Sequence, residues 1–367
     1  MVAGRTALMG GKTLLLRFKA IARRGVDLAR GGASPEVAER DRRLAGLRRQ
    51  LEGKEEQITE LRTRLSAMER GSGGIEAGDV VWIFCTGRSG STWLASMLGD
   101  LPGNVMWDEP LVGALFGDFY INRGAEKRGA KFILGPRHRD AWLRSIRYTV
   151  LEGARARYEI SEGGRLVIKE PHGSMGAPLL AEALPESSVI LLVRDPRDIM
   201  ASALDAHRKG SWISRVRNRR PATRGKGGDP DTFVESDSDP EGFLKQKAEK
   251  CLRDLLKAKE AYEAHQGPKA LVRYEELRAD AVGSMRHLCS ELGMEVEEED
   301  LTRVVEARAW EALPEEKRGE GKFYRKAKPG SWREDLIPEQ AKIVESVTAP
   351  LLDEFYPGWR DERSRGL

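Results

Sequence analysis

A chain of 367 residues has room for one large α/β domain and an extension beside it. Its 62 Lys and Arg against 58 Asp and Glu leave a formal charge of +4, mild enough to suit an anionic ligand without calling for nucleic acid. Three cysteines, Cys85, Cys251 and Cys289, show neither metal-ligand spacing nor a paired framework, which fits a reducing, cytoplasmic compartment and no metal.

In chain order, the first segment mixes apolar residues (Leu14, Leu15, Leu16, Phe18, Ile21) with Arg17, Lys19, Arg23, Arg24 and Arg30. It has no apolar run long enough to cross a bilayer and no small-residue cleavage site. Residues 1–33 therefore read as a basic segment with two options: peripheral contact with an anionic membrane surface, or a frayed basic tail. A heptad pattern follows. Val37, Leu44, Leu47, Leu51, Ile58, Leu61, Leu65 and Met68 recur three and four apart, interrupted by Arg40 and Lys54. This predicts a coiled coil over 34–70, most simply a parallel homodimer; a lone amphipathic helix is the alternative. Gly71-Ser72-Gly73-Gly74 opens a flexible linker over 71–78.

Val80 to Phe84 is β-branched and aromatic, and predicts a buried strand. The polar loop Thr86-Gly87-Arg88-Ser89-Gly90 and a helix start at Ser91-Thr92-Trp93 come next, with Ser91 or Thr92 expected as the cap. A loop of this kind aims free amides, hydroxyls and a guanidinium at one point, which suits phosphate or sulfate. It departs from the nucleotide pattern G-x-x-x-x-G-K-[ST], since no Lys follows Gly90. Gly11-Lys12-Thr13 fails that pattern as well, with Thr6 where its first Gly belongs and no strand ahead of it. Trp107-Asp108-Glu109-Pro110 follows the first helix, and Lys169-Glu170-Pro171-His172 follows a strand Leu166-Val167-Ile168. Ile190 to Val193 predicts a central parallel strand, apolar on both faces. Arg194 ends it, a helix begins at Pro196, and Ser202 lies eight residues beyond Arg194. Such an Arg grips a phosphate bidentately, and the Ser adds a neutral donor. The Arg-, Gly- and Asp-Pro-rich stretch within 213–242 reads as a mobile insertion, either a lid or an acceptor-facing loop, with simple disorder the alternative. Ala270 to Leu277 reads as a strand and helix start, and Arg325-Lys326 as a basic loop.

Taken in order, these segments resemble the sulfotransferases that use 3′-phosphoadenosine 5′-phosphosulfate (PAPS), over roughly residues 78 to 357. Arg88-Ser89-Gly90-Ser91-Thr92-Trp93 resembles the family's 5′-phosphosulfate loop, and Arg194 with Ser202 its 3′-phosphate site. Tyr274-Glu275-Glu276-Leu277 is similar to the segment whose Tyr meets the adenine edge. Arg325-Lys326 through Gly330 and Trp332 resembles the loop that closes over the 3′-phosphate, with Ala327 replacing its first Gly. The resemblance makes Trp93 a stacking residue for adenine; a place in the core of its own helix is the other reading. Glu109-Pro110 resembles the segment of carbohydrate sulfotransferases that carries a Glu base. Lys169 with His172 is similar to the Lys-x-His segment of small-molecule sulfotransferases, the His falling one residue late.

The resemblance implies an α/β, P-loop-like three-layer sandwich with a mainly parallel central sheet over 79–360, preceded by the coiled coil. It implies transfer of a sulfuryl group from PAPS, which leaves as 3′-phosphoadenosine 5′-phosphate (PAP), to an acceptor hydroxyl on a carbohydrate or glycolipid. Glu109 is then favoured as the base, with His172 the other candidate and otherwise a residue lining the site or an ordinary loop histidine; Lys169 and Arg88 stabilise charge. A P-loop-like small-molecule kinase and a non-catalytic coiled-coil scaffold are the competing readings. The absent Gly-Lys-[ST] and the absence of an obvious Mg2+-binding carboxylate weigh against the first. Intact Arg88, Arg194, Ser202 and Glu109 weigh against the second.

Overall fold

The computed structural model describes residues 39–40, 43–54, 57, 74–117, 136–218 and 236–364. The chain divides into two compact units, Met1–Gly74 and Ile75–Leu367. In the first, residues 43–54 are helical, and Leu47 and Leu51 are 55% and 50% exposed. The basic segment 1–33 and most of the heptad region lie outside the described residues. No helix among the described residues is long and apolar enough to cross a membrane.

The second unit is built on five parallel strands: β1 (Val80–Phe84), β2 (Val105–Asp108), β3 (Leu166–Lys169), β4 (Ser188–Val193) and β5 (Lys269–Arg273). Their order across the sheet is β2-β3-β1-β4-β5. β1, β3 and β4 are buried at every position, as strands covered on both faces must be. Their side chains alternate between two cores. Val80, Trp82 and Phe84 point into one, Val81, Ile83 and Cys85 into the other.

Helices close each face. α1 (Ser91–Gly99), which follows β1, packs Leu94, Ala95, Met97 and Leu98 on the second core. α2 (Arg139–Arg155), α3 (Ala177–Ala183), α4 (Pro196–Ala206) and, after the short α5 (Trp212–Asn218), the long α6 (Pro240–Ala264) cover the first. α7 (Tyr274–Ala279), α8 (Ala281–Glu291) and α9 (Glu298–Ala307) return to the α1 side through Leu277, Met285, Leu288 and Leu301. α10 (Trp332–Asp335) and α11 (Pro338–Phe355) complete the first layer, and α12 (Trp359–Ser364) ends the described chain. The result is an α/β three-layer sandwich with a parallel sheet. The chain leaves β1 for the β2 edge, returns to β3, then crosses β1 to reach β4. The strand order therefore reverses at β1, and the crevice beyond its carboxyl end is where such folds bind ligands.

Several local expectations change. The helix after β1 is capped by Gly90 in the left-handed region (φ 89°), with no side-chain cap from Ser91 or Thr92. Trp107 and Asp108 belong to a strand, β2, that the sequence pattern does not reveal. Ile75 and Ala77, inside the span read as linker, are buried in the core. The ends of the span 213–242 belong to α5 and to α6, which Asp239 caps by accepting from Gly242 N, while residues 219–235, the middle of the expected mobile insertion, lie outside the described residues.

Candidate active site

Four segments leave the carboxyl ends of β1, β2, β3 and β4 and meet. The loop after β1 is turned by two residues with positive φ, Arg88 (69°) and Gly90 (89°). Trp93 N and Leu94 N close their helical bonds on Gly90 O, so the Ser91 and Thr92 amides precede the first helical bond. Gly90 lies against the buried Tyr274 ring; a Cβ there would fall 2.5 Å from Tyr274 Cδ2. Tyr274 in turn meets Trp93 edge-on at 6.2 Å between ring centroids. Both aromatic residues are thus brought to the loop, Tyr274 as its backing and Trp93 half-buried beside it.

The guanidinium of Arg88 donates from Nε to Ser202 Oγ (3.0 Å) and from Nη2 to the Phe323 carbonyl (2.6 Å). The Phe323 ring lies 5.2 Å from it. The left-handed turn at Arg88 presents its own carbonyl to Arg194 Nη1, at 3.0 Å. Arg194 is buried, stands 4.2 Å over the Tyr274 ring, and its Nε has no hydrogen-bond partner among the described residues. Arg325 completes the cluster. Burial lowers the Arg88 pKa to about 10, and the charges of Arg194 and Arg325 push it the same way. The charges of Arg194 and Arg325 act on Arg88, which itself bonds Ser202, and an anion among them would relieve that self-repulsion. The buried Ser89 hydroxyl, also without a partner among the described residues, is a further polar group at the same loop.

The last loop is anchored from below. Asp198, fully buried on α4, accepts from Gly330 N (2.7 Å) and Trp332 N (2.9 Å) and lies 3.9 Å from Arg194. Burial holds its pKa above the ordinary carboxylate range, with Arg194 opposing. Arg325 donates to Asp335 (2.6 Å) and Ser331 Oγ (3.2 Å), and Lys326 pairs with Asp335 at 2.7 Å. Both basic residues are therefore carried on an acidic brace. Ala327 has φ 49°, so it adopts the left-handed turn its position demands without being Gly.

On the β2–β3 side, Lys169 is the hub. Its Nζ lies 2.9 Å from Thr92 Oγ1, 2.7 Å from Asp108 Oδ1 and 2.9 Å from Glu109 Oε1. Burial works to lower its pKa, but the hydrogen bonds it donates to Asp108 and Glu109 outweigh it and hold it above the ordinary lysine value. It is a fixed cation. Glu109 Oε2 is 3.8 Å from the ring of His172, which is half-exposed.

Three residues, Glu170, Ser174 and Asp198, gain roles that sequence reading did not give them. Glu170 is fully buried, and burial raises its pKa to about 7 against the backbone amides that stabilise it. Ser174 Oγ accepts from Cys85 N (2.9 Å) and lies 2.6 Å from Cys85 O, tying the end of β1 to the segment after β3. A carboxylate directly after an apolar strand is the only sequence signal for Glu170. Asp198 reads in sequence as an ordinary acidic residue of a first helical turn. Among the described residues, no group of three or more His, Cys, Asp and Glu is placed to hold a metal ion.

Comparison with known proteins gives one family. The family model described as "Sulfotransferase domain" matches residues 78–356. Among solved structures, a mouse sulfotransferase, SULT7A1, complexed with PAP, is similar at 15% identity, covering 81% of this chain and 91% of that one, with a TM-score of 0.48. The sulfotransferase STF9 from Mycobacterium avium is similar at 13% identity over 77% of this chain and 78% of that one (TM-score 0.43). A sulfotransferase from Alicyclobacillus acidocaldarius shows 16% identity over 76% and 98% (TM-score 0.37). No curated protein matches.

Proposed function

The chain belongs to the sulfotransferase family, and on that premise we propose that it moves a sulfuryl group from PAPS to a hydroxyl of a carbohydrate or glycolipid. One observation carries the reading. Lys169 sits 2.9 Å from Thr92 on the phosphosulfate loop and 2.9 Å from Glu109, so a leaving phosphate and an acceptor hydroxyl would meet across one cation.

In this reading the 3′-phosphate lies between Arg194, Ser202 and Arg325, where Arg194 Nε, without a partner among the described residues, supplies a donor. The amides of Ser91 and Thr92, the Ser89 hydroxyl and Arg88 take the 5′-phosphate at the start of α1. The acceptor oxygen attacks sulfur in line. Its proton passes to Glu109 Oε, the bond from sulfur to the bridging oxygen breaks, and the electron pair leaves with PAP. Lys169, held as a cation, and Arg88 neutralise the charge that grows on that oxygen. Trp93 and Tyr274 form the adenine side, and His172 lines the acceptor side. Asp108 and His172, both half-exposed beside Glu109, offer partners for the several hydroxyls of a sugar.

The heptad segment 34–70 supports a parallel homodimer, and the basic segment 1–33 supports contact with an anionic membrane surface from the cytoplasmic side.

The test is transfer of labelled sulfuryl from PAPS to a panel of alkyl glycosides by the full chain, with Mg-ATP as the alternative donor. Glu109→Gln is expected to lower transfer by about 10²–10⁴-fold while PAP affinity stays within about twofold. A fully active Glu109→Gln enzyme removes Glu109 as base, and phosphoryl transfer from Mg-ATP overturns the reaction.

A further inference from the structure

We propose that Glu170 is a positioning residue for this reaction: its buried carboxyl clamps the turn Glu109–Gly113 and so sets where the Glu109 carboxylate points. This rests on the reading of Glu109 as base.

The turn needs a clamp. Glu109 and Leu111 both have positive φ, 49° and 62°, on either side of Pro110. Two such non-glycine residues this close persist only where their surroundings hold them. What holds them is the segment after β3. Glu170 Oε1 accepts from Val112 N at 2.8 Å, the nearby amides of Gly113 and Leu111 favour the ionised carboxyl, and Oε2 has no hydrogen-bond partner among the described residues. Glu109 N donates to Lys169 O at 3.0 Å, which fixes the other end of the turn. Between these anchors the two backbones touch. A Cβ on Gly113 would fall 2.1 Å from Gly173 O, and one on Gly173 would fall 2.2 Å from Glu170 Oε2.

The clamp is itself rigidly seated. Glu170 N donates to Ile83 O (3.1 Å), and Ser174 Oγ lies 2.9 Å from Glu170 O and 2.6 Å from Cys85 O. The base is therefore referred back to the end of β1, the strand that carries the phosphosulfate loop. Donor and base share one frame, with Lys169 between them. A carboxyl is suited to this work because it can take several amides from one turn at once, which an apolar residue in the same place cannot. Glu170 reaches the reaction through Glu109 and has no contact with substrate in this scheme.

The experiment compares Glu170→Ala, Glu170→Gln, Glu109→Gln and the Glu109→Gln/Glu170→Ala double variant in the full chain. Three quantities are read: transfer from labelled PAPS to alkyl glycosides, PAP affinity, and amide exchange over residues 109–113. Displacing a catalytic group by about 1 Å costs roughly 100-fold, so Glu170→Ala should lose that much in kcat. Glu170→Gln, which keeps one acceptor oxygen, should recover part of the loss. PAP affinity should hold within about twofold in both, and the double variant should be no slower than Glu109→Gln alone, because the two act as a unit. Exchange over 109–113 should quicken in Glu170→Ala. A folded Glu170→Ala with full transfer and unchanged exchange overturns the inference, as do losses that add in the double variant. If Glu109→Gln alone is fully active, it is the assignment of the base that fails, while the exchange data still report whether the clamp exists.

Discussion

Gly90 is where backbone geometry and packing coincide. Its φ is 89°, and a methyl group there would meet the buried Tyr274 ring at 2.5 Å, the same ring that lies under Arg194. An alanine must adopt a left-handed backbone and also displace the ring. Gly90→Ala should therefore cost about 2–4 kcal/mol, read as a lower thermal midpoint, and weaken PAP binding by disturbing Arg194. An unchanged midpoint contradicts that packing. Glu170 makes a second residue-scale prediction, with a definite sign. Its pKa is about 7 in the folded chain against 4.5 for an ordinary glutamate. The folded state thus holds the proton more tightly, so stability falls as pH rises from about 4.5 to 7 and levels off above, by on the order of 3 kcal/mol. Between pH 5 and 8 the wild-type midpoint should drop relative to that of Glu170→Gln. Parallel midpoints across that range would show that the carboxyl is not desolvated.

At the scale of elements, α4 joins the two halves of the proposed 3′-phosphate site. It carries Ser202, begins beside Arg194, and through Asp198 holds the loop that bears Arg325. Asp198→Ala leaves the buried amide of Trp332 and the part-buried amide of Gly330 without their acceptor, at about 1–3 kcal/mol for the buried one. The expected result is faster proteolysis across residues 318–332 and weaker PAP binding; a loop equally resistant in the variant would contradict the tie. This connection also marks what a sequence shows and what it hides. β1, β3 and β4 are legible because strands buried on both faces are apolar throughout. β2 is not, because it is four residues long and half-exposed, with Asp108 at its end. Arg88 and Ser202 are legible as parts of two motifs, and the structure places them in direct contact at 3.0 Å. Arg325 and Lys326 are legible as basic residues, whereas their brace on Asp335 is not. Glu170 and Asp198 escaped because their partners are main-chain amides 58 and more than 130 residues away. No local pattern records which amide a carboxyl will meet. The cap of α1 is hidden for a related reason: two hydroxyls follow Gly90, but the left-handed glycine ends the loop by itself.

For the whole molecule, the sheet reversal at β1 gathers four strand ends at one crevice, and every segment expected to bind nucleotide or base reaches it from a strand end or an adjoining helix or loop. The N-terminal unit bears on assembly. Exposed Leu47 and Leu51 on the helix at 43–54 fit the heptad seam of a dimer. Sedimentation velocity should give a dimer for the full chain and a monomer when Leu47→Glu and Leu51→Glu are combined; a monomeric wild type would contradict the coiled-coil reading. Catalysis is a separate matter, lodged in Ile75–Leu367. The most direct test of it is calorimetric titration of the full chain with PAP, without metal, in the wild type and in Arg194→Ala. Tight binding that falls about 10–100-fold in the variant is the predicted result, the range expected when a charge-assisted phosphate contact is lost. No binding of PAP by the wild type, or equal binding by the two proteins, would contradict the assignment of the guanidinium cluster as the nucleotide site.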